Sequence, residues 1–132
     1  MSRYLPPWIH FKNKSRALDV LHIHWSLAMI VAAMSGYAQK NKLPMVITSG
    51  ISSYAEDSYY KRVSRTHREG RAMDISVKGW QQLDIDKFVK FWNGHEHNKY
   101  YGAISSTTKQ PNLVVYHDVG FGKHLHVQCR GD

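Results

Sequence analysis

At 132 residues, 42% of them hydrophobic, the chain is long enough to bury one sizeable core and too short for two, which predicts a single domain over 1–132. A charged fraction of 21%, with four Trp, eight Tyr and four Phe, excludes an intrinsically disordered chain. The formal net charge of +8 points to polyanionic partners, and a single cysteine, Cys129, excludes an intramolecular disulfide and a thiolate-rich metal site.

In chain order, the first sixteen residues lack the apolar core and small-residue cleavage site of a signal peptide, so synthesis in the cytoplasm without general export is expected. Pro6 and Pro7 predict an extended N-terminal segment over about 1–15. Asn13 or Ser15 would then cap a helix from Arg16 to Gln39, with Leu18, Leu21, Trp25, Ala28 and Ala32 as its buried stripe. Asp19, His22 and His24 argue against reading its apolar part, Leu18 to Met34, as a membrane span. His22 and His24, two apart on a helix, face different ways and are read as structural.

Met45 to Thr48 reads as a strand, followed by a long polar loop from Ser52 to Thr66 and a second strand from Arg71 to Val77. Ile85, Phe88, Val89 and Trp92 predict a helix over Asp84 to Trp92, ended by Gly94. Two more strands, Asn112 to Tyr116 and His124 to Cys129, flank a glycine-bearing turn and predict an antiparallel hairpin. This order has no repeated βαβ unit, so the expected class is α+β, a small antiparallel sheet packed against helices.

Strand alternation then sorts the candidate chemistry. Met73, Ile75 and Val77 share one face of their strand and Ala72, Asp74 and Ser76 the other; Leu125, Val127 and Cys129 oppose His124, His126 and Gln128 in the same way. If the hairpin pairs beside the strand of Asp74, and His67 returns over a turn that Gly70 permits, two imidazoles and a carboxylate converge. Three such ligands leave a fourth tetrahedral position for water, whose pKa zinc lowers towards neutrality. The same spacing is equally compatible with a loop histidine, a surface carboxylate and an exposed strand pair. His95-Glu96-His97 reads as a solvated cap rather than a metal site, Cys129 as a small buried residue, and Tyr59-Tyr60 and Tyr100-Tyr101 as packing residues. His117 is placed near the metal across the hairpin.

His67-Arg68-Glu69-Gly70-Arg71-Ala72-Met73-Asp74 resembles the H-x-x-G-x-A-x-D core of the D-alanyl-D-alanine carboxypeptidase and hedgehog-domain superfamily, and His124-Leu125-His126 resembles its later H-x-H. The similarity spans about 45–128, the motif-bearing core. It implies a hedgehog/DD-peptidase-like fold with Zn2+ held by His67, Asp74 and His126. His124 would lie beside the metal as a proton-transfer or oxyanion-stabilising residue.

Three positions depart from the family pattern. Arg65 stands two before His67, where Ser is frequent; Lys123 stands three before the last ligand, where many members carry a carboxylate base; and Ile51-Ser52-Ser53 replaces an expected arginine. The general base is therefore open between His124 and Asp118, and the cation that would hold the substrate among Arg65, Arg71 and Lys61. The resemblance implies a zinc metallopeptidase cutting peptidoglycan stem peptides, phage endolysin-like, acting as a monomer at the cell wall after release or as part of a virion. The alternative is a catalytically inactive zinc-containing module with a binding or virion structural role. A nucleic-acid-binding domain ranks behind both, because Lys and Arg spread from Arg3 to Arg130 instead of forming one stripe.

Overall fold

The computed structural model describes residues 9–12, 23–49, 69–105, 108–118 and 123–130, with Asp118 described by its backbone alone. Among these the elements are β1 (Ile9–Phe11), α1 (Trp25–Lys40), β2 (Met45–Ser49), β3 (Ala72–Ser76), α2 (Gln82–Asn93), α3 (Glu96–Tyr101), β4 (Ala103–Ile104), β5 (Pro111–Asn112), β6 (Val114–Asp118) and β7 (Lys123–Gln128). Five strands form one sheet in the order β1-β2-β3-β7-β6, and β4 and β5 form a separate two-stranded ribbon.

The class is α+β, as the order of elements implied, but the main sheet is mixed rather than antiparallel. β1, inside the segment expected to be merely extended, pairs in parallel with β2, while the other three pairings are antiparallel. A parallel pair needs a long crossover, and α1 lies within that connection.

Helix α1 turns a different stripe to the core than the one expected. Leu27, Ile30, Val31, Met34 and Ala38 are buried at i, i+3, i+4, i+7 and i+11, whereas Trp25 is 59% exposed and Ala28 and Ala32 are only partly covered. The larger aliphatic side chains remove more apolar surface from water than two alanines, so they set the helix's rotation. The expected start of this helix at Arg16, with Leu18, Leu21 and the caps Asn13 or Ser15, lies outside the described residues.

Helix α2 buries Ile85, Phe88 and Trp92, and Val89 packs at the core edge, in line with the sequence pattern. Asp84 accepts from the Gln81 backbone N–H at 3.0 Å to start it, and Gly94 ends it. Both helices join Met45, Ile47, Met73, Ile75, Leu125 and Val127 in one hydrophobic cluster. At the end of α2, Asn93 Oδ1 accepts from the N–H groups of Leu113 and Val114, each at 3.0 Å, and its Nδ2 donates to the Val114 carbonyl at 2.9 Å. That clamp fixes where β6 begins, so the expected strand from Asn112 is broken at Leu113. Among the described residues no helix is long and apolar enough to cross a membrane.

Candidate metal centre

The sheet register assembles the site. β3 sets Asp74 directly opposite His126 and Ser76 opposite His124; β6, on the other side of β7, sets Val115 opposite His126 and His117 opposite His124. Directly opposed residues share a face. Asp74, His124, His126 and His117 therefore lie together, away from the core residues Met73, Ile75, Leu125 and Val127 that alternate with them.

From the other flank, β2 meets β3 through a bulge: Ile47 opposes Ile75 and Ser49 opposes Asp74, which leaves Thr48 as the extra residue. The Thr48 hydroxyl donates to the Asp74 backbone carbonyl at 3.4 Å. Gly70 lies in the turn before β3 with φ +72, a left-handed conformation that costs glycine nothing, so the turn proposed for the first motif does form.

Asp74 is 6% exposed and His126 9%. A carboxylate at that depth is stable only when paired with a cation or protonated. Asp74 Oδ1 stands 3.1 Å from His126 Nδ1 and 3.6 Å from His124 Nε2, and His124 Nε2 stands 3.0 Å from His117 Nε2. The His117 ring also lies 5.4 Å from that of His126, centre to centre. On the outer side of His126, Nε2 donates to Gln128 Oε1 at 3.0 Å, and Gln128 Nε2 donates to the Asn112 carbonyl at 3.1 Å.

The donor set fits zinc at its centre. Ligand atoms each about 2.0–2.1 Å from a tetrahedral zinc lie roughly 3.3 Å from one another, close to the 3.1 Å between Asp74 Oδ1 and His126 Nδ1. Among the described residues no three His, Cys, Asp or Glu side chains are grouped so as to hold a metal ion. A third ligand must therefore come from outside them, where His67 lies.

Of the remaining candidates, Arg65 and Lys61 also lie outside the described residues. Asp118 closes β6 opposite Lys123 at the mouth of the hairpin. Arg71 is anchored: its Nη1 donates to the Cys129 carbonyl at 2.9 Å and its Nη2 pairs with Glu69 Oε1. Lys123 is exposed, with its ammonium 6.0 Å from the centre of the Tyr116 ring.

The other described histidines serve the fold where their contacts are seen. His24 Nδ1 accepts from the Ser26 N–H at 3.3 Å and caps α1, while the Ser26 hydroxyl reaches Cys129 Sγ at 3.3 Å. Burial pushes the Cys129 thiol up, against a smaller opposing effect of the Ser26 hydrogen bond. His95 Nδ1 accepts from the His97 N–H at 3.0 Å and caps α3. Burial and then the neighbouring His95 push His97 down, with Glu96 opposing.

Sequence reading did not single out Gln128 as part of the site, although its position two residues along the strand face from His126 was the available signal. Compared with protein-family models, curated proteins and solved structures, the chain has no significant match.

Proposed function

We propose that the chain is a zinc-dependent peptidase that hydrolyses amide bonds in peptidoglycan stem peptides, as a carboxypeptidase or endopeptidase of the endolysin kind. The observation that carries this reading is the buried Asp74 carboxylate 3.1 Å from His126 Nδ1, with His124 beside both. These residues come from the two motifs that resemble the peptidase superfamily.

In this reading His67, Asp74 and His126 hold the metal. Bound zinc supplies Lewis acidity towards water and the scissile carbonyl. His124, next to Asp74 but not a ligand, takes a proton from the attacking water on Nε2 and returns it to the leaving nitrogen. His117, whose Nε2 is 3.0 Å from the same atom, orients that ring and shares its proton. Asp118 is the second base candidate, and comparison of His124→Ala with Asp118→Asn assigns the role. The net charge of +8 draws the protein to an anionic wall.

One observation favours a zinc-holding module without turnover: the strand position where relatives carry a carboxylate base holds the exposed Lys123. Incubation of purified peptidoglycan with the zinc-loaded protein decides between them, with EDTA-treated and Asp74→Ala samples alongside and products identified by mass. The peptidase reading predicts stem-peptide release in the zinc-loaded wild type alone. Stoichiometric zinc without release from walls of several types would establish the non-catalytic module.

A further inference from the structure

We infer that Gln128 is the positioning residue that selects the tautomer of His126, and through it prepares Nδ1 as a metal ligand; the second half rests on the zinc reading above. The chain of contacts begins at a backbone carbonyl, which can only accept. Asn112 O takes a hydrogen bond from Gln128 Nε2 at 3.1 Å, which fixes the orientation of the amide and leaves Oε1 towards His126. An amide oxygen also only accepts, so His126 Nε2, 3.0 Å away, carries the ring proton.

In the neutral ring Nδ1 is then a lone pair, and it is aimed at Asp74 Oδ1, 3.1 Å away. Two acceptors at that distance repel each other unless a cation joins them. In the opposite tautomer Nδ1–H would donate to Asp74 and the pair would satisfy itself, closing the position to a metal. Gln128 thus holds His126 in the form that makes the Asp74–His126 pair receptive to a cation. Such outer partners of ligating histidines typically change metal affinity by 10–100-fold.

The partner itself is fixed by the fold. Asn112 ends β5, and its neighbours Leu113 and Val114 are clamped by Asn93, so the carbonyl that anchors Gln128 is tied to the end of α2. The Gln128 backbone N–H donates to the Leu113 carbonyl at 2.9 Å, which holds the residue at this point of the strand.

The test is ¹⁵N imidazole spectroscopy on the metal-free full chain at about pH 8.5, where a model histidine is neutral, followed by zinc titration against a competing chelator. Wild type should show His126 as the Nε2–H tautomer. Gln128→Leu, which keeps bulk and removes the acceptor, should shift His126 towards Nδ1–H and weaken zinc binding about 10–100-fold. Gln128→Glu retains an acceptor and should restore both the tautomer and most of the affinity. An unchanged Nε2–H tautomer in Gln128→Leu overturns the inference whatever the metal data. A tautomer shift in a wild-type chain that binds no zinc leaves the tautomer assignment standing and overturns both the metal-ligand half and the zinc reading.

Discussion

At the scale of single residues, the account separates ligands from the group that moves protons. Asp74 and His126 lie at ligand spacing, while His124 Nε2 stands 3.6 Å from the carboxylate and 3.0 Å from His117. His126→Ala and Asp74→Ala should therefore each abolish zinc binding, whereas His124→Ala should keep zinc and lose turnover by about two to four orders of magnitude. Metal content and the rate of stem-peptide release, measured on the same preparations, check this; equal loss of zinc in all three would make His124 a ligand. The buried Cys129, its thiol pushed up by burial, should stay unmodified by a thiol-specific reagent in the native protein and react only on unfolding.

At the scale of elements, the clamp at the end of α2 joins the helical layer to the strand that bears His117. Asn93→Ala would orphan the N–H groups of two buried residues, Leu113 and Val114, at about 1–3 kcal/mol each, and should lower the thermal midpoint without altering the tautomer of His126. Helix α3 carries a pH dependence of definite sign. Burial lowers His97 below its ordinary value, so the unfolded chain takes up the proton first as pH falls. The contribution of His97 is complete above about pH 6.5, its unfolded value, and is lost as pH drops through its lower folded value. Amide exchange in α3 should accelerate over that interval, and His97→Gln should flatten the trend.

Elements were legible in the sequence where side-chain period and chemistry agreed. The alternation around Asp74 and His126 put both on the polar faces of their strands, and those strands are neighbours in register. Period alone did not settle the rotation of α1, because a stripe through Trp25 and Ala28 and one through Leu27 and Ile30 fit equally well until packing selects the larger side chains. β1 was hidden for another reason: three residues acquire strand identity only by pairing with β2, a contact far away in sequence. Gln128 was hidden because its role depends on the Asn112 carbonyl across the sheet.

At the scale of the whole molecule, the charge of +8 should govern encounter rather than chemistry. Adsorption to anionic walls should weaken steeply as salt shortens the screening length from about 10 Å near 0.1 M to about 3 Å near 1 M. Cleavage of a small soluble stem peptide should change far less over the same range, which a paired sedimentation and peptide assay would measure. The central claim is a zinc centre built on the sheet pairing of β3 with β7 and completed by His67. The most direct measurement is metal stoichiometry of the purified full chain after zinc loading and gel filtration, for the wild type and for His67→Ala, Asp74→Ala and His126→Ala. The account predicts one zinc per wild-type chain and none in each variant. A wild-type chain that retains no zinc, or an Asp74→Ala chain that retains it in full, would contradict it.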